Sequence, residues 1–408
     1  MLFRYSVIVA LSLGAVATAA TPGQEATLPS GRTAYRTLAD HGAGLDELAA
    51  AHPGDARTFT LPEPSLEGRP VRGIEISRDV ANSAHKPVML LLGLHHGREW
   101  PSGEAVIEYA TDLLATGDPI LDRLVVVAVP VVNPDGFELS RSLGHEMKRK
   151  NCRIAAGTLP VTGDCGRIEN LTLGVDLNRN YAHGWAAAPN PSAETYPGPE
   201  PFSEPETRNI RALVSTRQVT VLITNHTYGD WLGHPGGPEE DTIYKRLSDE
   251  LAAEAGYGTR TMVPGGLAEH WSYYATAGFG FMPEIGQEFH PVFGTVVRQY
   301  AGLRKLYGAA AQMAADRALH AVVTGTGEPG QVLTLTRTNP LAALSSELTV
   351  PASGTFEWDI NPAIRPDSAG LLTEPWTLTC GDRTFTITAG RGGTEAVDCR
   401  PGERRRVR

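Results

Sequence analysis

Three apolar runs, Val88–Leu94, Leu124–Val132 and Val219–Thr224, constrain the fold of this chain more than any other feature. A strand buried on both faces reads as continuous Val, Leu and Ile, so each run is expected to be an interior strand of a parallel or mixed sheet. Each run ends abruptly in polar residues. The first gives way to His95-His96-Gly97-Arg98-Glu99-Trp100, the second to Asn133-Pro134-Asp135-Gly136 and the third to Asn225-His226. Open α/β sheets place ligands in the loops beyond the carboxyl ends of their strands. His96 and Glu99, three residues apart on one such loop, are candidates for two of the three protein ligands of a catalytic zinc, which leaves a fourth position for water. His226, 130 positions later at an equivalent strand end, is a candidate for the third.

Helical spacing of apolar residues surrounds these runs. It is found around Leu45, Leu48 and Ala49, and on the face Val106, Tyr109, Ala110, Leu113 and Leu114, for which Ser102 is a candidate cap. It recurs over Glu204–Val214, Ile243–Ala255 and Val296–Ala315, with further strands expected at Val71–Ile76 and Phe279–Ile285. Strands alternating with helices imply an α/β fold: a mixed, mostly parallel twisted sheet with helices on both faces. After about Leu319 the pattern changes to short alternating strands, Val332–Thr336, Leu348–Val350, Thr355–Trp358 and Thr384–Thr388, separated by Gly, Pro and Asn. These predict a C-terminal all-β sandwich.

The amino terminus reads as a secretory signal, with Arg4 before the apolar Tyr5–Leu13 and a small-residue cleavage site at Ala17-Thr18-Ala19. The expected organisation is a signal peptide over 1–20, a linker over 21–34, the α/β unit over 35–317 and the β-sandwich over 318–408. That arrangement leaves no length for a long inhibitory pro-segment. No later apolar run approaches bilayer length, so the mature chain is expected to be exported and free of the membrane, in an extracellular or periplasmic space. Four cysteines in an exported chain suggest two disulfides. Sequence order favours Cys152 with Cys165 and Cys380 with Cys399, although four cysteines permit three connectivities. The 46 acidic against 36 basic residues give a net charge of −10, which argues against a nucleic-acid partner.

The polar segments also occur in a telling order. His96-Gly-Arg-Glu99-Trp100, Asn133-Pro-Asp-Gly-Phe137, Arg149-Lys-Asn151, Gly174-Val-Asp-Leu-Asn-Arg-Asn180, Phe202-Ser-Glu-Pro-Glu-Thr207, Asn225-His226-Thr-Tyr228 and Phe281-Met-Pro-Glu284-Ile follow one another as in the carboxypeptidase A (M14) family of zinc metallocarboxypeptidases. The chain resembles that family, in its secreted bacterial type, from about Tyr35 to Arg317. The resemblance implies one zinc per chain, held by His96, Glu99 and His226. It implies Glu284 as the base that takes a proton from the attacking water, and Arg149 as the residue that stabilises the oxyanion. Asn178 and Arg179 match the pair that grips the free C-terminal carboxylate of a peptide or protein substrate. Arg98 matches a position that touches substrate further from the cut bond.

The match departs from the family at two places. Met262 falls where many relatives carry a mobile Tyr, whose place Tyr228 or Tyr257 is a candidate to fill. Glu269, 15 positions before Glu284, falls where the family reads the substrate's terminal side chain, which implies a preference for Lys or Arg. His95 is expected to pack rather than to ligate. His145, His183, His234, His270 and His290 are also expected to be structural, with His234 near the pocket rim. Alternative readings keep the zinc but change the substrate to a peptidoglycan stem peptide or an N-acyl amino acid, or make the chain a catalytically silent binding protein. No ligand is assigned to the C-terminal domain.

Overall fold

A computed structural model describes residues 27–155, 161–235, 242–367 and 370–400. The expected signal peptide, residues 21–26 of the linker and the basic residues Arg404–Arg406 lie outside them. The strands of the first unit are β1 (Ala56–Thr60), β2 (Arg72–Ile76), β3 (Val88–Leu92), β4 (Val125–Val129), β5 (Val219–Thr224), β6 (Trp231–Pro235), β7 (Gly258–Met262) and β8 (Phe279–Glu284). They form one eight-stranded sheet in the order β1-β2-β4-β3-β5-β8-β6-β7. The central strands β4, β3, β5 and β8 run parallel, whereas β2 joins β4 and β6 joins β8 in antiparallel fashion.

The apolar runs are interior strands because both of their faces are covered. Val88, Leu90 and Leu92 with Val125, Val127 and Val129 point to one side. Met89 and Leu91 with Val126 and Ala128 point to the other. Each fully buried aliphatic side chain of this kind contributes about 1.5–3 kcal/mol relative to exposure. The second set packs under helices α1 (Leu38–Ala51), α2 (Trp100–Thr116) and, later in the chain, α5 (Thr242–Ala255) and α7 (Phe293–Ala315). The remaining helices are α3 (Pro134–Arg141), α4 (Pro205–Ser215) and α6 (Ala268–Thr276).

The other face of the sheet meets α4, α6 and the C-terminal strands. These are β9 (Ala321–Thr326), β10 (Val332–Asn339), β11 (Ala342–Thr349), β12 (Thr355–Ile360), β13 (Ile364–Asp367), β14 (Gly370–Thr373), β15 (Trp376–Cys380), β16 (Arg383–Ile387) and β17 (Thr394–Asp398). They make a four-stranded sheet β11-β10-β15-β16, a three-stranded sheet β12-β9-β17 and the β13–β14 ribbon. Leu333, Leu335, Trp358, Trp376 and Leu378 from these strands join one continuous apolar core with Val127, Leu213 and Leu222. The β strands thus cover part of a face that the sequence pattern assigned to helices alone. Cys152 bonds to Cys165 and Cys380 to Cys399.

Two local expectations are corrected. The first apolar run leaves the sheet at Leu92, and Leu94 turns through a positive φ of 49° that redirects the chain toward His96. Ser102 lies inside α2 rather than at its cap. The cap position is Glu99, and the Ser102 hydroxyl donates to the Glu99 carbonyl (2.6 Å) while accepting from the Leu94 N–H (2.9 Å). A serine in the first turn therefore locks the loop that presents Glu99.

Candidate metal centre and active site

The site forms beyond the carboxyl ends of three adjacent parallel strands, β3, β5 and β8. After β3, the loop carrying His96 and Glu99 lies against the first turn of α3. A Cβ on Gly97 would stand 2.3 Å from the Gly136 carbonyl group, so this approach requires glycine. The Asn133 side-chain amide donates to the carbonyls of His95 (3.2 Å) and Arg149 (3.3 Å), and the Gly97 N–H donates to the Arg149 carbonyl (3.0 Å). Arg149 is thereby brought beside the loop. After β5, the Asn225 side chain donates to the Leu92 carbonyl (3.0 Å), and His226 is held between strand ends by its N–H to Pro283 O and its carbonyl to Ile285 N–H. His226 and Glu284 lie side by side across a parallel bridge.

Donor atoms of His96, Glu99 and His226 all lie within 4.8 Å of one another, and all three residues are buried. His96 Nδ1 is 2.8 Å from one Glu99 oxygen and His226 Nδ1 is 2.9 Å from the other, with the two Nδ1 atoms 3.1 Å apart. The opposite ring nitrogens have partners. His96 Nε2 is 2.9 Å from Asp176 Oδ1, an ionised acceptor that keeps the ring proton on Nε2. His226 Nε2 is 3.1 Å from Thr224 Oγ1, whose hydroxyl is in turn 2.9 Å from His95 Nδ1. Two imidazole lone pairs and a carboxylate therefore converge on one point. Two nitrogens and one carboxylate are a donor set that fits catalytic zinc, and imidazoles oriented by outer carboxylates or hydroxyls are the usual support for it.

The charges are consistent with that reading. Burial opposes ionisation of Glu99, but His96 and His226 outweigh it and hold the carboxyl well below its usual range. For Asp176 burial is likewise outweighed, by Arg149, His96 and Arg179. Burial lowers His226 to about 4, which keeps the imidazole neutral and able to ligate. Glu284 behaves differently: burial and the nearby Glu99 charge push its carboxyl well above the usual range, against the pull of Arg149.

Around this centre the other sequence-derived candidates fall as follows. Arg149 donates to Asp176 Oδ2 from Nε (3.2 Å) and Nη2 (2.8 Å), and its Nη1 is 3.5 Å from Glu99. Asn178 is fully buried; its side-chain oxygen accepts from the Ala268 N–H (2.9 Å) and its nitrogen is 3.2 Å from His226 Nε2. Arg179 is half-buried, donates to the Asn178 carbonyl (2.7 Å), and pairs with no carboxylate among the described residues. Arg98 pairs with Glu194 (2.7 Å) and lies over the Phe289 ring at 4.3 Å. Tyr228 is exposed and meets the same ring edge-on at 5.0 Å. Glu269 is wholly buried on the first turn of α6; its oxygens make no hydrogen bond of full geometry, although a main-chain N–H and the Asn178 amide lie close enough to favour its ionised form. Burial raises its carboxyl to about 7, with Arg179 pulling the other way.

Met262 is the last residue of β7, in register with Pro235 of β6, and its side chain lies over Gly233, as does that of Met282. A strand residue is not a mobile flap. Tyr257 packs against the core on the α2 side, whereas Tyr228 is exposed two residues after His226. His95 packs as expected, 2.8 Å from the Tyr181 hydroxyl and buried. Asp176 and Thr224 escaped the sequence reading as supports of the two histidines. Their only signals were position, Asp176 two residues before Asn178 and Thr224 two before His226.

Two strand-end histidines and a carboxylate converging on one point, a second carboxylate alongside and a guanidinium that pairs with no carboxylate among the described residues are the groups of a zinc-dependent hydrolase of mixed α/β architecture. The sequence profile of the zinc carboxypeptidase family, peptidase M14, matches residues 42–284, more than half of the chain, and the chain belongs to that family. It is 29% identical to a carboxypeptidase B of Astacus astacus over 263 residues, 60% of this chain and 80% of that protein. It is 31% identical to carboxypeptidase A2 of Mus musculus over 216 residues, 50% of this chain and 47% of the relative. It shares the fold of the carboxypeptidase A from Helicoverpa armigera, with a TM-score of 0.61, 23% identity, and coverage of 72% of this chain and 77% of the other.

Proposed function

We propose that this chain is an exported zinc carboxypeptidase that hydrolyses the last peptide bond of peptides or proteins, with a preference for a basic terminal residue. The observation that carries the reading is the convergence of His96, Glu99 and His226 beside Arg179, a cation with no carboxylate of its own. His96 and His226 would hold zinc through Nδ1 and Glu99 through its carboxylate. When bound, the metal polarises the scissile carbonyl and lowers the pKa of its water to about 7.

Glu284 takes a proton from the attacking water as the C–O bond forms and the carbonyl oxygen becomes negative, then passes it to the amine as the oxyanion collapses and the C–N bond breaks. Its raised affinity for protons suits the second half of that task. Arg149, held by Asp176, donates hydrogen bonds to the oxygen that becomes negative. Arg179 receives the terminal carboxylate, because a planar guanidinium donates two parallel bonds to it and an amide or internal peptide offers no such acceptor. Asn178 holds Arg179 through the Asn178 carbonyl and ties the segment to α6. Arg98 and Tyr228, at the Phe289 ring, contact the chain upstream of the cut.

Glu269 supports the basic preference, since a buried carboxylate without a cation or a full hydrogen bond is satisfied by an incoming ammonium or guanidinium. Export is supported by two disulfides and by the leader-like sequence of residues 1–20. We propose residues 35–317 as the catalytic unit and 318–408 as a β unit. The test is release of C-terminal residues from matched peptides ending in Arg, Lys, Phe and Leu, with and without a zinc chelator. Release that a chelator abolishes and zinc restores is expected, fastest for Arg and Lys. Faster release of Phe or Leu would remove the basic preference, and chelator-resistant release would remove the zinc mechanism.

A further inference from the structure

The C-terminal strands pack on α4 and hydrogen-bond to α6, the helix that carries Glu269. Arg337 on β10 is buried, and no carboxylate forms an ion pair with it among the described residues. Its Nη2 donates to the carbonyls of Thr276 (2.6 Å) and Ala275 (3.4 Å) at the end of α6, and Nη1 donates to Pro362 O (2.8 Å). The guanidinium lies 4.1 Å over the Trp376 ring. A cation on the last carbonyls of a helix completes hydrogen bonds that the helix cannot make itself and meets the negative end of its dipole. Three further ties reach the same helix. The Asn339 side chain donates to Ala275 O (2.9 Å), the Trp271 indole donates to Leu341 O (3.1 Å), and Arg365 lies 5.0 Å over Tyr274. On its other side α6 touches β8 so closely that a Cβ on Gly280 would be 2.2 Å from the Glu269 carbonyl oxygen. The helix is therefore fixed along its axis from the C-terminal module and pressed against the sheet at Glu269.

We infer that the C-terminal β module sets side-chain selectivity by holding α6, and that Arg337 is the positioning residue through which it fixes the depth of Glu269. This rests on the reading of Glu269 as the floor of the side-chain pocket. A buried guanidinium without a counter-ion is costly to keep, and burial lowers its pKa to about 10. The carbonyls of α6 and the Trp376 face offset that cost. Hydrogen-bond geometry of this kind transmits position: loss of the Arg337 fork frees the last turn of α6 and lets its first turn shift against Gly280. The metal ligands lie on other elements and are left in place.

The test compares the full-length zinc enzyme with Arg337→Met, Arg337→Lys and Asn339→Ala. The control is Ser346→Ala, which removes a module contact away from α6, the 2.8 Å bond from the Gln218 side chain. Two readouts are needed: the ratio of kcat/KM for Arg-terminated and Leu-terminated peptides, and amide hydrogen exchange of residues 268–276. Arg337→Met is expected to shift the ratio at least fivefold and to speed exchange of α6 at least tenfold with zinc content unchanged. Asn339→Ala and Arg337→Lys are expected to do less in the same direction, and Ser346→Ala to lower Tm without moving the ratio. A ratio within twofold of wild type in both Arg337→Met and Asn339→Ala would overturn the inference. Asn339→Ala carries the test alone if Arg337→Met fails to fold. Should the wild type cleave no peptide, the proposed function fails first, and unchanged α6 exchange in the variants would then overturn the clamp separately.

Discussion

The proposed reaction centre and the proposed side-chain pocket lie next to each other, joined by Asn178, and are built on opposite principles. At the centre the groups behind the ligands are matched: His96 has Asp176, His226 has Thr224, and Arg149 has Asp176 and Glu99. Only the inward lone pairs are left, and they point at one another. In the proposed pocket, Glu269 makes no hydrogen bond of full geometry, with the Asn178 amide and a main-chain N–H only nearby, and the neighbouring His270 ring and Ser272 hydroxyl make none either. A buried polar atom without a partner costs about 1–3 kcal/mol. The first arrangement is complete before substrate arrives and needs only a cation. The second is completed by the substrate itself. Chemistry is thus carried by preorganised atoms, whereas selectivity is carried by unmet demand.

The largest expected effects lie at the matched centre. Glu284→Gln should lower kcat about 100- to 10,000-fold, the range for removing a general base, while zinc content by elemental analysis stays at the wild-type level. Unchanged kcat would take Glu284 out of the mechanism. Arg179→Met should lower kcat/KM about 100-fold on peptides with a free terminus, through lost charge-assisted bonds, and leave the residual cleavage of C-terminally amidated peptides as it was. An equal loss on both substrates would mean that Arg179 does not read the carboxylate. Asp176→Asn removes the charge that orients both His96 and Arg149. It should weaken zinc affinity about 10- to 100-fold in a competition titration against a chelator, and a wild-type affinity would show that the outer carboxylate is idle.

The same contrast explains what the sequence disclosed. The interior strands were readable because burial on two faces leaves no polar positions, and the ligand residues because they interrupt such runs at one end. The resemblance carried by the seven ordered segments then added Arg149 and Arg179, which local pattern alone could not supply. Asp176 was silent because its partner His96 lies 80 residues away, and Thr224 because a threonine in a strand buried at every position reads as core. The helix α6 was missed because its nine residues are nearly all buried, so no apolar stripe stands out from a polar face. The C-terminal strands were legible by alternation. Their partner was not, since nothing in Arg337 or Asn339 announces that they hold a helix more than 60 residues away.

The subtlest way to test the contrast is pH. Burial raises the Glu269 carboxyl from its usual 4.5 to about 7, so in the free enzyme it is protonated below neutrality and ionised above. An Arg-terminated substrate needs the ionised form and a Leu-terminated one does not. The Arg-to-Leu ratio of kcat/KM should therefore rise by up to about tenfold per pH unit from pH 5 to 7 and level off above, since one unit of pKa corresponds to a factor of ten. Stability should move the other way. A carboxyl whose folded pKa is raised binds more protons folded than unfolded, so its contribution is fully present below 4.5 and is lost as pH rises through about 7. Glu269→Gln cannot ionise, and it should flatten the ratio and shrink the fall in Tm over the same window. A wild-type ratio that stays constant from pH 5 to 8 would mean that Glu269 never meets the substrate, and the division between a satisfied centre and a demanding pocket would then be lost.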